Sequence, residues 1–106
     1  MDIEQIRRKV LDRRYVISFT HTEKLRRRTI EIETLEQAIA SGEIIESYED
    51  DPRGPSCLIL GYGSNRRPLH IVCGNLDEDY ILIITAYEPD GEEWEADWRS
   101  RKRGKS

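Results

Sequence analysis

The spacing of apolar residues changes at Gly42, and this change restricts the fold more than any other feature. Beyond Gly42 the chain has four short stretches rich in β-branched and other apolar residues, separated by turns, which is typical of strands. These predicted strands are residues 43–49, 56–62, 68–74 and 80–87. Because connections this short join antiparallel strands, the pattern predicts an antiparallel meander.

Before this point the spacing is mostly helical. Ile3, Ile6 and Val10 recur every three or four residues, which predicts an amphipathic first helix. A short β-branched and aromatic stretch at 15–19 predicts a strand. A second amphipathic pattern at 33–40 predicts another helix, ended by the glycine that follows it.

Helices grouped ahead of consecutive strands predict an α+β domain. We expect N-terminal helices packed on one face of a mainly antiparallel sheet of four to five strands, with 15–19 as the edge strand. The other face is expected to be open and to carry any binding site. Residues 92–99 are expected to add a final helical turn or two, so the domain spans 1–99. Residues 100–106 are expected to form a basic, disordered tail.

Length and composition narrow the class of protein. A chain of 106 residues makes one domain, and no apolar run approaches the roughly 18 residues needed to span a bilayer. The formal net charge is −4, with basic and acidic segments alternating along the chain. Cys57 and Cys73 are predicted to face each other as core thiols on neighbouring strands. We therefore predict a cytoplasmic protein without membrane contact, and no motif predicts a cofactor or a metal site.

The polar residues match the needs of RNA cleavage without a metal. That reaction requires a base for the 2′-hydroxyl, a cation for the phosphate and an acid for the leaving oxygen. Each candidate also has a plainer interpretation, because a mid-strand histidine is usually packed and an arginine run is usually a solvated helix face. The candidates for proton transfer are His21, His70, Tyr87 and Thr85, and those for binding phosphate are Arg26, Arg28 and Arg53.

A helix is predicted to begin after Thr20, and Glu23 completes its capping box. It would carry His21 and Arg28 on the same side, two turns apart. The "GEIIESYEDDPRGPSCLILGY" block follows, and the strand "RPLHIV" and the ending "ITAYEPD" come later. Together these segments, over about residues 15–94, resemble the DUF4258 family.

The resemblance implies a fold shared with small toxins of the RelE, ParE and BrnT type. It also implies a small antitoxin encoded nearby, of the zinc-finger type. The helix departs from the usual family pattern, which leaves open whether Arg26, Arg27 or Arg28 is the important arginine. Fold similarity alone does not establish activity, because one fold carries many functions.

Two functions therefore remain open from the sequence. The first is the toxin of a toxin–antitoxin pair, an endonuclease for single-stranded RNA that is a monomer or weak dimer on its own. The second is a non-catalytic module of the same fold that binds a protein partner. The acidic balance favours the second, because affinity for RNA comes largely from cationic contacts with phosphates.

Overall fold

A computed structural model describes residues 2–17, 32–52, 54–63 and 66–102 of the chain. Two helices lie in this part, α1 (Ile3–Leu11) and α2 (Ile32–Ala40). Asp2 caps α1 by accepting a hydrogen bond from the backbone N–H of Glu4 at 3.0 Å. The amphipathic first helix and the helix predicted at 33–40 are confirmed.

The helices bury the apolar positions that their spacing predicts. Ile6 and Val10 of α1 are buried, and so is the apolar side of α2. Leu11, at the end of α1, is 78 % exposed. The helix-facing core is completed by alternate residues of the sheet, which include Cys57, Ile59, Leu69, Ile71, Cys73, Ile81 and Ile83.

Five strands form one mixed sheet. They are β1 (Tyr15–Ile17), β2 (Glu43–Tyr48), β3 (Ser56–Tyr62), β4 (Pro68–Asn75) and β5 (Ile81–Tyr87), in the spatial order β1-β5-β4-β3-β2. Strands β2 to β5 form the predicted antiparallel meander, while β1 lies at an edge and runs parallel to β5. The α+β architecture with a five-stranded sheet is therefore confirmed.

The register of β3 and β4 agrees with the sequence prediction. Cys57 lies opposite Cys73, and Ile59 lies opposite Ile71. Both cysteines are free and buried. Burial raises the pKa of the Cys57 thiol to about 11 and that of Cys73 further still. These thiols therefore pack as small apolar side chains within the core.

The expectation of an open sheet face is wrong. Residues 88–102, here called the strap, run across the face that points away from the helices. Leu58, Leu60 and His70 are on this face and are at most 2 % exposed, and Trp94 of the strap is equally buried. Apolar surface on both sides of the sheet is thus removed from water, which favours the covered arrangement.

The helical turns predicted at 92–99 are also absent, because the strap is made of turns. The side chain of Asp90 accepts a hydrogen bond from the backbone N–H of Glu92. The side chain of Asp97 accepts from the backbone N–H groups of Arg99 and Ser100. Such local side-chain bonds compete with helical ones and favour turns.

The end of the strap, which the sequence assigned to the tail, makes backbone hydrogen bonds with earlier residues of the strap. The N–H of Glu95 donates to the carbonyl of Ser100 at 2.8 Å, and the N–H of Lys102 donates to the carbonyl of Glu93 at 2.9 Å. Residues 103–106 lie outside the described part. No helix in the described ranges is long and apolar enough to cross a membrane.

Candidate functional site

Four of the predicted site residues lie outside the described part of the chain. They are His21, Arg26, Arg28 and Arg53, together with the helix predicted after Thr20. The other three, His70, Thr85 and Tyr87, lie on neighbouring strands β4 and β5. His70 is paired with Tyr87. Val72, two residues after His70 on β4, is paired with Thr85. All three share the sheet face beneath the strap.

His70 is completely buried, and both of its ring nitrogens have partners. Nε2 lies 2.8 Å from the carbonyl oxygen of Trp98. Because that oxygen can only accept, Nε2 carries the proton and donates it. Nδ1 lies 3.4 Å from the Tyr87 hydroxyl, so the neutral ring accepts there. Since its exposure is 0 %, the ring does not meet solvent or substrate in this conformation.

Aromatic rings surround His70 on two sides. The indole of Trp94 meets it edge to face, with centroids 4.4 Å apart, and Tyr87 does so at 5.4 Å. This burial lowers the pKa of His70, while the hydrogen bond to the Trp98 carbonyl acts in the opposite direction. Burial also raises the pKa of Tyr87. His70 and Tyr87 are therefore both neutral at physiological pH.

A second polar cluster, at the edge of the same face, was not predicted. It is formed by Glu46 and Tyr48 of β2 and by Arg101 of the strap, and is here called the Glu46 cluster. The Arg101 guanidinium donates to both oxygens of the Glu46 carboxylate, from Nε at 3.0 Å and from Nη2 at 3.2 Å. The Tyr48 hydroxyl donates to Glu46 Oε1. These contacts bring together an acid–base group, a phenol and a cation.

The β-bulge between Ile44 and Glu46 aligns the acidic residues of β2. Glu43 lies opposite Leu60, and Glu46 lies opposite Leu58, so both carboxylates are on the strap side of the sheet. Arg99 forms an ion pair with Glu43 as Arg101 does with Glu46. The bulge therefore determines where the two strap arginines attach.

The pKa values of Glu46 and Tyr48 are shifted in opposite directions within the Glu46 cluster. The hydrogen bond from Arg101 lowers the pKa of Glu46, with a further contribution from Tyr48. Burial and the bond to Glu46 raise the pKa of Tyr48 to about 12. At neutral pH the cluster thus holds a carboxylate, a protonated phenol and a guanidinium, and the Glu46 and Arg101 side chains are 25 % and 59 % exposed.

Arg101 also contacts the strap itself. Its guanidinium carbon lies 4.7 Å from the centroid of the Trp94 ring, a distance suited to a cation–π interaction. Trp94 in turn packs against His70. One continuous set of contacts therefore joins the buried histidine to the partly exposed Glu46 cluster.

The sequence contained one signal for the missed residues. Within "EIIESYE" the alternation of a strand places Glu46 and Tyr48 on the same face, so their proximity was deducible. Arg101 had no comparable signal. It lies 55 positions from Glu46 in the chain and had been assigned to the tail.

A comparison with known protein families gives a match that covers most of the sheet. A family described only as a domain of unknown function, DUF4258, matches residues 21–88. The chain belongs to the DUF4258 family. The matched DUF4258 region includes Glu46, Tyr48, His70 and Tyr87, while α1, β1 and almost all of the strap lie outside it. No curated protein and no solved structure gives a significant match.

The burial of neutral His70 predicts that stability falls with acidification. The unfolded chain takes up a proton near the ordinary pKa of 6.5, whereas the folded state resists protonation because the His70 pKa is lowered. Stability is therefore full above pH 6.5 and declines below it, by up to about 1.4 kcal/mol per pH unit. Urea unfolding between pH 7.5 and 5.5 measures this slope.

The His70→Gln variant isolates the contribution of this residue, because both proteins retain His21. The variant is expected to lack most of the slope. Equal slopes in the two proteins would contradict the assignment of His70 as a neutral, buried group.

Proposed function

We propose that this DUF4258 protein is the toxin of a toxin–antitoxin pair and cleaves single-stranded RNA without a metal ion. The observation that carries the proposal is the Glu46 cluster. It combines a carboxylate, a protonated phenol and a guanidinium within hydrogen-bonding distance of one another, at a partly exposed edge of the sheet. These groups can supply the base, the acid and the phosphate-binding cation that cleavage requires.

In the proposed reaction the Glu46 carboxylate takes the proton of a ribose 2′-hydroxyl. The 2′-oxygen attacks the adjacent phosphorus while the Arg101 guanidinium stabilises the charge that builds on the phosphate oxygens. The bond from phosphorus to the 5′-oxygen breaks, and the leaving oxygen takes the proton of Tyr48. Glu46, now protonated, returns that proton to the Tyr48 phenolate through their hydrogen bond. The products are a 2′,3′-cyclic phosphate and a 5′-hydroxyl.

This assignment differs from the sequence expectation about the proton carriers. His70 was a candidate, but its ring is completely buried, so the partly exposed Glu46 takes the role of base here. Tyr87 contacts His70, and Thr85 lies two residues before Tyr87 on the same face. His21, Arg26, Arg28 and Arg53 stay predictions, the arginines as contacts for phosphates along the RNA.

The alternative, a non-catalytic module with a protein partner, is favoured by one specific observation. The strap adds six carboxylates between residues 88 and 97, and such charges repel an RNA backbone. An acidic strap is instead suited to a basic partner surface. A small zinc-finger antitoxin, which the family resemblance implies, is a partner for either function.

A cleavage assay with purified protein separates the two functions. We expect single-stranded RNA to be cut in the presence of EDTA and to leave 2′,3′-cyclic phosphate ends, with an all-DNA oligonucleotide of the same sequence left intact. The DNA control tests the need for the 2′-hydroxyl. Intact RNA at low salt and high protein concentration would reject the nuclease and favour the binding module.

A further inference from the structure

Two of the attachments between the strap and the sheet lie close together in the chain. At one place the carbonyl of Trp98 accepts the hydrogen bond from His70 Nε2. At the other place Arg101 donates to both carboxylate oxygens of Glu46. Only two residues separate Trp98 from Arg101, so the position of the first constrains the position of the second.

The backbone between these attachments has an unfavourable conformation. Trp98 has a φ of 62°, in the left-handed region that bulky residues rarely adopt. Such a conformation is energetically unfavourable and persists only where surrounding contacts impose it. The hydrogen bond from His70 acts on the carbonyl of this same residue. His70 is therefore placed to hold the backbone turn that directs Arg101 toward Glu46.

We propose that His70 is a positioning residue for the Glu46 cluster: by donating from Nε2 to the Trp98 carbonyl, it holds the strap so that Arg101 faces the carboxylate. The proposal rests on the proposed function for its effect on RNA, but not for its effect on the strap. It gives the buried histidine of the covered face a role that does not require contact with substrate.

The proposal makes the site sensitive to pH through named neighbours. The groups facing His70 are the Tyr87 hydroxyl on β5, the Glu46 carboxylate on β2 and the Arg101 guanidinium on the strap. Protonation of His70 turns Nδ1 into a donor, so the Tyr87 hydroxyl must rotate. The new positive charge is attracted by Glu46 and repelled by Arg101, so protonation opposes the attachment of Arg101 to Glu46, while Nε2 still donates to the Trp98 carbonyl.

Two amide substitutions distinguish the role of Nε2 of His70 from that of Nδ1. The side-chain nitrogen of His70→Gln reaches about as far as Nε2 and retains a donor for the Trp98 carbonyl. The shorter His70→Asn places its polar atoms near the position of Nδ1 and loses that donor. Both variants remove the ring, its packing against Trp94 and its titration, so a difference between them reports the hydrogen bond.

Binding to 2′-O-methyl RNA, which lacks the nucleophile, is the first measurement. At pH 7.5 we expect His70→Asn to raise the Kd about five- to tenfold and His70→Gln to stay within about twofold of the original protein, as for the loss of one hydrogen bond. Thermal unfolding verifies that both variants are folded at the assay temperature. Equal Kd values for the two folded variants would overturn the proposal.

A double-mutant cycle with Arg101→Gln tests whether His70 acts through Arg101. If it does, His70→Asn has little further effect on Kd once Arg101 is replaced. Independent, additive effects would assign His70 a general structural role and reject the proposal.

Tryptophan fluorescence makes the test independent of RNA. Trp94 and Trp98, both in the strap, are the only tryptophans of the chain. We expect acrylamide to quench His70→Asn more strongly than His70→Gln at pH 7.5. If RNA does not bind at all but this difference is present, the proposed function fails while the placement of the strap by His70 stands. Equal quenching would reject that placement.

Discussion

Replacing Gly61 by alanine is expected to destabilise the domain by at least about 3 kcal/mol, which is a large share of the 5–15 kcal/mol that a typical domain has. A Cβ at this position would lie 1.8 Å from the carbonyl oxygen of Ala38 and 2.5 Å from its carbonyl carbon. Both are backbone atoms of α2. A change of side-chain rotamer therefore cannot relieve the overlap, and the helix must move away from β3.

The displaced helix would carry Leu35, Ala38 and Ile39 away from the core, so the loss is spread over many contacts. Urea unfolding monitored by circular dichroism measures the effect. Gly91→Ala is the matched control, because a Cβ there has only an ordinary contact, 3.9 Å from Trp98. A Gly61→Ala protein as stable as Gly91→Ala would show that α2 does not approach β3 this closely.

The second large effect concerns the proposed reaction. Glu46→Gln is expected to lower the rate of RNA cleavage by about 10²–10⁴-fold, the usual contribution of a general base. The amide has almost the same shape but does not accept the 2′-hydroxyl proton, and it cannot return a proton to Tyr48. Initial rates with a short fluorescent RNA measure the loss.

Glu36→Gln is the control, because it also removes a carboxylate that accepts a hydrogen bond from a phenol. The Glu36 carboxylate accepts a hydrogen bond from the Tyr15 hydroxyl at 2.6 Å, between α2 and β1 rather than at the strap. This variant should cleave RNA at the rate of the unmodified protein. Activity retained in Glu46→Gln would exclude Glu46 as the base, and a similar loss in both variants would indicate a general effect of removing a half-buried carboxylate.

The elements of secondary structure were accessible to sequence reasoning because their signals are local. The apolar stretch "SCLILGY" predicted β3 to the residue, and the spacing of Ile3, Ile6 and Val10 predicted α1. The opposition of Cys57 and Cys73 followed from the turn between β3 and β4, since a strand pair joined by a short turn has few registers. The family was also accessible, because its motifs are continuous in the chain.

The site was only partly accessible. His70, Thr85 and Tyr87 were separate candidates in the sequence, and the register of β4 and β5 shows that they share a face. The environment of that face was not predicted. Residues 92–99 have two tryptophans at helical spacing, yet the side chains of Asp90 and Asp97 stabilise turns at both ends of the stretch.

By itself the sequence determined the helices α1 and α2, the four-stranded meander and the family, because each depends on residues close together in the chain. The tertiary structure alone decided that the strap covers the second face, buries His70 and brings Arg101 to Glu46. Those contacts join residues up to 55 positions apart. They depend on which apolar surface the strap finds once the sheet has formed, and no local pattern in the chain encodes that choice.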